Sequence, residues 1–338
     1  MVACYCKHNY NFKFLINHII MVTPIDIKEN AIGFIDSRIG GRKENQDAAG
    51  LRETKLGYLI VVCDGMGGMQ GGSVASQLAV KKIIETVSAA DHQANPSMTL
   101  TKAIRNANIA IIEEGKNNSA LQGMGTTVTA LLISKHSAIA AYVGDSRIYQ
   151  IRNGKKVFRT FDHSMVFEMV KKKVISEEQA RLSAQSNVIM KALGVTPDIE
   201  VEVSEHPYQK GDRFILCTDG FWGAMPEEEF IRYLSEKKSI NNILESTANI
   251  VESIGRNSGN EYDNLTAAIL EMKSNSILKE KMNRLSNIII SVLLVILLAS
   301  VALNIALYTQ NCENADKTHQ NINSSQIESS KDTANILK

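Results

Sequence analysis

A chain of 338 residues, 44% hydrophobic and 22% charged, is long enough to bury one large core and still carry a modest appendage. Its formal net charge of +1 leaves no basic footprint for nucleic acid, and that class of partner is set aside. Of the five cysteines, Cys63 and Cys217 sit inside apolar runs and read as reduced core residues.

Residues 1–22 give few signals. Phe12–Val22 is mildly apolar but broken by Lys13, Asn17 and His18, too short to span a bilayer and a poor secretory segment. An unstructured extension is expected there, with Met21 as a second candidate start. Ala31–Asp47 reads as a short strand, a glycine turn at Gly40 and Gly41, then Arg42. The apolar run Leu59–Cys63 stops at Asp64 and opens into a glycine-rich loop, Gly65 to Gly72. Glycines there let backbone approach a ligand closely. A nucleotide-binding loop fails on spelling, since Gln70 follows Met69 and no lysine precedes Ser73. A carboxylate at the mouth of a phosphate cradle also repels phosphate unless a cation intervenes, so Asp64 points to metal.

Ser73–Val87 and Met98–Ile112 have helical spacing, separated by the loop Ala89–Asn95. Strands follow in quick succession: Thr127–Ile133, Ala138–Val143, Arg147–Ile151, an Asn153-Gly154 turn, and Val157–Thr160. Short consecutive strands joined by tight turns predict antiparallel sheet and argue against a doubly wound parallel one. Ser164–Leu193 reads as helical and polar, with a capping box at Ser176–Gln179 and a lysine triplet, Lys171 to Lys173, taken as a solvated face rather than a substrate-steering patch. Strands at Ile199–Val203 and Arg213–Cys217, helices at Pro226–Tyr233 and Ile240–Ile254, and a closing strand from Leu265 complete the series. Trp222 is expected in the core.

Beyond Lys273 a polar, basic connector leads into Asn287–Tyr308, almost wholly apolar and long enough for one bilayer crossing. Lys279, Lys281 and Arg284 before it, against Glu313 and Asp316 after it, keep the preceding domain cytoplasmic by the positive-inside rule. The expected organisation is an extension at 1–22, a domain at 23–272, a basic linker at 273–286, a transmembrane helix at 287–308 and a disordered polar tail at 309–338.

Three apolar runs each deliver an aspartate beside glycine: Asp64, Asp145 and Asp219. Asp47 and Asp263 add two more. Brought together, five carboxylates cannot all stay ionised without cations. An all-oxygen set suits Mg²⁺ or Mn²⁺, less well Ca²⁺. A cysteine-dependent phosphate loop, C-x₅-R, is excluded, because Cys63 meets Met69 and Cys217 meets Gly223 at the arginine position.

The ordered series Arg42-x-x-Asn45-Gln46-Asp47, Asp64-Gly65-Met66-Gly67-Gly68, Gly125-Thr126-Thr127, Gly144-Asp145-Ser146-Arg147, Asp162-His163-Ser164, Asp219-Gly220 and Asp263-Asn264-Leu265-Thr266 resembles the metal-dependent Ser/Thr protein phosphatases of type 2C, in their bacterial branch, over roughly residues 30 to 272. The resemblance implies an α+β fold, a four-layer αββα sandwich of two antiparallel sheets flanked by helices. It implies two core ions, Mn²⁺ or Mg²⁺, held by Asp47, Asp64, the carbonyl of Gly65, Asp219 and Asp263, with Asp64 bridging them. Asp145 with Asp219 matches a third metal position, and Arg42 grips the substrate phosphate. A metal-bridging water would attack phosphorus in line, without a phosphoenzyme. Gln46 stands where some relatives have glutamate, which puts a water-mediated carboxylate contact to metal in question. Residues 164–193 correspond to a flap that tunes substrate choice, where relatives usually have glycine in place of Lys173. Phosphorylated proteins are the implied substrates, a Ser/Thr kinase the implied counterpart, and the membrane a partner through the C-terminal helix. His163 stays open between a structural role and proton donation to the leaving oxygen. A docking module that binds phosphoproteins without hydrolysis is the rival class, disfavoured by the full set of aspartates and Arg42.

Overall fold

The computed structural model describes residues 23–27, 30–67, 71–186, 188–259 and 262–335. The expectations for the extension at 1–22 and for Gly68 fall outside them. Two compact units divide the chain after Lys279.

In the first unit the chain forms β1 (Thr23–Ile27), β2 (Ala31–Arg38), β3 (Asp47–Thr54), β4 (Gly57–Met66), α1 (Gly71–Ser88), α2 (Pro96–Asn117), β5 (Gly125–Thr126), β6 (Val128–Ile133), β7 (Ala138–Val143), β8 (Arg147–Arg152) and β9 (Lys155–Arg159). It continues through α3 (Met165–Lys171), α4 (Glu177–Arg181), β10 (Glu202–His206), β11 (Arg213–Cys217), α5 (Asp219–Trp222), α6 (Glu227–Leu234), α7 (Ile240–Ser258) and β12 (Leu265–Met272). One sheet has the order β1-β2-β12-β11-β8-β9; the other runs β10-β7-β6-β4-β3, with β5 paired to β4. Every pairing is antiparallel.

Side-chain alternation along the strands builds the layers. On β4, Leu59, Val61 and Cys63 face α1 and α2, whereas Ile60 and Val62 face the second sheet together with Leu131, Ile148, Phe214 and Leu216. On the far side, Ile215, Cys217, Ala267 and Ile269 pack under Phe230, Leu244 and Val251 of α6 and α7. The result is helix, sheet, sheet, helix, the expected four-layer sandwich. Cys63 and Cys217 are buried free thiols, and Asn153 (φ 51°) with Gly154 (φ 74°) makes the expected β8–β9 turn.

Three boundaries differ from expectation. Strand β4 does not stop at Asp64 but runs to Met66, because Gly65 and Met66 find partners in β5. Strand β10 begins three residues late: Ile199, Val201 and Val203 do share one face toward the helices, but the ladder starts only at Glu202, opposite Tyr142, one residue short of the end of β7. Residues 164–193 hold two short helices rather than one continuous helical region. Val188 and Met190 instead hydrogen-bond back to Met165 and His163, around a bridge between Ser164 and Ile189.

The second unit belongs to α8 (Ile277–Asn335), 59 residues long. Where a connector and a disordered tail are expected, the helix runs through both; residues 277–335 contain neither proline nor glycine to stop it. Its stretch Lys279–Tyr308 is long and apolar enough to cross a membrane, and residues 287–308 keep their side chains exposed.

Candidate metal-dependent active site

Strand ends deliver the acidic groups to one place. Asp47 opens β3 directly opposite Asp64 on β4, so the two carboxylates are cross-strand neighbours. Asp219 follows β11 and Asp263 precedes β12, and those strands are themselves paired, Cys217 opposite Ala267. Gly220 makes their approach feasible: a Cβ there would meet the Asn264 carbonyl at 2.1 Å. Gly65 is equally constrained, since a Cβ would lie 2.1 Å from the Gly72 oxygen and 2.5 Å from that of Gln46. Asp145 enters from the turn after β7.

The backbone around the acids is fixed by hydroxyl and amide side chains. The Thr127 hydroxyl accepts from the Asp64 amide (3.0 Å) and the Thr126 hydroxyl donates to the Asp64 carbonyl (2.8 Å). The Thr218 hydroxyl donates to Asp47 Oδ2 at 3.0 Å. Asn264 ties down the loop that carries Arg42: its amide donates to the carbonyls of Ile39 (2.7 Å) and Glu44 (3.0 Å), and its oxygen accepts from the Gln46 amide (2.8 Å). Arg42 itself is half-exposed and ion-paired to Asp263 at 3.2 Å.

Burial, reinforced by the neighbouring acids, pushes Asp47 up to about 8 and Asp219 up to about 6, and holds Asp64 and Asp145 well above the usual carboxylate range. Asp145 Oδ1 and Asp219 Oδ1 are buried without a hydrogen-bond partner. Charge that is disfavoured by burial, together with acceptor oxygens left unpaired, fits a cation. Among the described residues no three His, Cys, Asp or Glu side chains form a ready-made metal group. A cleft of about 1000 Å³ opens over Arg42, Asp64, Asp219 and Asp263, and a second of about 410 Å³ borders Asp145, Asp219 and Trp222.

Residues 36–273 match the family model described as Protein phosphatase 2C. This chain belongs to the protein phosphatase 2C family. It is 33% identical over 234 residues to the serine/threonine phosphatase stp of Listeria welshimeri, covering 68% of this chain and 91% of that one. It is 31% identical over 236 residues to the serine/threonine protein phosphatase PstP of Mycobacterium tuberculosis, 68% of this chain and 43% of that one. Among solved structures, Stp1 from Staphylococcus aureus aligns with a TM-score of 0.66 at 25% identity, over 76% of this chain and 99% of that one. The PstP catalytic domain in complex with two manganese ions aligns with a TM-score of 0.59 at 27% identity, over 72% and 98%.

Other residues of the phosphatase 2C unit support the acids from behind. Arg147 is buried, holds Asp162 with two hydrogen bonds (2.8 and 2.7 Å) and lies 3.3 Å from the Trp222 ring centre. Trp222 is buried as expected, and its indole N–H donates to the Asp145 carbonyl at 3.1 Å. His163 resolves toward structure: Nδ1 accepts from the Gly144 amide (3.1 Å), Nε2 reaches Glu202 (2.9 Å), and the ring stacks on Tyr142. It lines a cleft with Tyr142 and Glu202, apart from the two that hold Arg42, Asp219 and Asp263. Asn264 and Trp222 stand in or beside the motifs, but their hydrogen bonds across 220 residues and 77 residues carry no sequence signal.

Proposed function

We propose that this protein is a divalent-metal-dependent phosphatase that hydrolyses phosphoserine and phosphothreonine in proteins, anchored to the membrane by α8 with its phosphatase unit in the cytoplasm. The observation that carries the reading is the set of five aspartates at one end of two stacked sheets, with orphaned oxygens on Asp145 and Asp219. Asp47, Asp64, Asp219, Asp263 and the Gly65 carbonyl are the groups that would hold two Mn²⁺ or Mg²⁺ ions, with Asp145 and Asp219 serving a third. The manganese complex of PstP supports that choice. When bound, such ions supply hydroxide near neutral pH and offset charge on phosphate oxygens.

The chain's own residues orient the substrate. Arg42, at the cleft mouth on the loop pinned by Asn264, presents a planar fork matched to phosphate oxygens. Asp263 holds that fork at the site in the meantime. Phosphoproteins, including the products of a counteracting Ser/Thr kinase, are the substrate class. The membrane location rests on Lys279–Tyr308, whose 30 residues span about 45 Å as a helix.

The test is phosphate release from a phosphothreonine peptide with Mn²⁺, with chelator, and with Asp219→Asn. We expect metal-dependent turnover that falls at least a hundredfold in the variant, as loss of several kcal/mol of metal-supplied stabilisation requires. A folded, Mn²⁺-binding protein that releases no phosphate would make the site a docking module.

A further inference from the structure

Between residues 165 and 190, Met165, Met169, Val174, Leu182, Val188 and Met190 are each at least 41% exposed, whereas residues 98–157 expose only Met98, Ile109 and Val157 among large apolar side chains. Concentrated exposure of this kind marks an interaction surface. Met165 and Met169 lie one turn apart on α3, with the buried Phe167 on the far side of the helix. The Met165 amide donates to the Val188 carbonyl (3.2 Å) and the Met190 amide to the His163 carbonyl (2.7 Å), so two short segments run antiparallel beside the helix. Alternation then separates two faces. Ile189 lines the cleft of Asp64 and Asp219, and Val188 and Met190 turn away from it beside Met165. Val174 folds back on α3, its amide donating to the Met169 carbonyl at 2.9 Å. Lys171, Lys172 and Lys173, all exposed, adjoin this patch without a break in the chain.

We propose that this face docks on an anionic lipid surface, the methionines and Val174 entering the headgroup boundary and the three lysines meeting lipid phosphates and carboxylates. Apolar side chains flanked by contiguous lysines are complementary to that surface, and each lysine adds to the attraction. The inference rests on reading α8 as a membrane span, which holds the unit at high effective concentration near lipid. Docking through the outer face leaves the cleft side of the flap, marked by Ile189, free for substrate.

The test uses the chain ended after Lys279, which holds the whole first compact unit and all of the family match at 36–273. Sedimentation with phosphatidylcholine vesicles is compared with sedimentation with vesicles that also contain phosphatidylserine. Binding only to the anionic vesicles is expected, weakened about fivefold for each of Lys171→Gln, Lys172→Gln and Lys173→Gln. It should also weaken for Met165→Ser/Met169→Ser, with turnover of a small aryl phosphate unchanged as the check on folding. Equal binding to both vesicles, no binding to either, or concentration-dependent self-association through Met165 and Met169 would each overturn the proposal, the last in favour of a second copy of the chain. Alkaline extraction of the full chain from membranes tests α8 separately, and peptide hydrolysis tests the phosphatase reading, so the three failures are distinguishable.

Discussion

Asn264 shows how much of the site depends on a side chain that does no chemistry. Its carboxamide bonds three backbone groups of the loop that carries Arg42: the Ile39 and Glu44 carbonyls and the Gln46 amide. Asn264→Ala removes those three hydrogen bonds, at a cost of about 1–3 kcal/mol. Because Arg42 then samples more positions, KM for a phosphopeptide should rise about tenfold with a smaller change in kcat; steady-state kinetics beside a urea melt separates the two effects. Asp64, Asp145 and Asp219 stood out in the sequence because each adjoins an apolar run and a glycine, whereas Asp47, between Gln46 and Ala48, stood out only through its spacing from Arg42. The partners of Asn264 and Trp222 were not legible there, because a hydrogen bond between distant segments leaves no periodicity behind.

At the scale of one element, α3 ends on an uncommon residue. Lys173 has φ of +58°, its amide donates to the Val170 carbonyl (2.8 Å), and that of Val174 donates to the Met169 carbonyl (2.9 Å). That pair of bonds is a Schellman C-terminus with lysine where glycine is favoured. Left-handed backbone costs a residue with a Cβ about 1–2 kcal/mol. Lys173→Gly should therefore stabilise the unit by about 1 kcal/mol, read as a higher urea midpoint at unchanged slope. The family's preference for glycine at this position and the capping box of α4, in which Ser176 and Gln179 exchange hydrogen bonds, were both readable in advance. The irregular path between the two short helices was not: it is set by pairing of residues 188–190 with 163–165, and polarity alone resembles an exposed helix.

For the whole molecule, the aspartate cluster predicts an inverted pH response. Asp47 and Asp219 titrate near 8 and 6 when folded, against about 3.9 unfolded. Between those values the native state binds more protons than the unfolded state, so the stability of the metal-free protein falls as pH rises from about 4 through 8. Burial of His206, which lowers its pKa, works the other way below about 6.5. Glu227 and Glu252, lowered by Arg159 and Lys156 and by Arg256 and Arg38 respectively against the burial that would raise them, act only at more acidic pH. The difference between melts with chelator and with Mn²⁺ isolates the cluster. Metal-free protein should melt about 5 °C lower at pH 8 than at pH 5 relative to the Mn²⁺ form, a shift worth about 2 kcal/mol. The antiparallel pairing was readable from consecutive strands joined by tight turns, and the four-layer sandwich followed from the resemblance to the type 2C family. The strand order was not readable, because nothing local in β2 says that its partner is β12.

That pairing also imposes a schedule on synthesis. Arg38 waits for Leu265, and without β12 the first sheet falls into two pieces, β1-β2 and β11-β8-β9. The residues from the end of β12 to Tyr308 are made in about 2–7 s at ordinary elongation rates. The last strand is therefore still leaving the ribosome while the apolar run is being translated behind it. On the proposed reading of α8 as a membrane span, the nascent chain would reach the membrane with its catalytic unit unsealed, completion of the sheet and engagement of the apolar helix falling within the same few seconds.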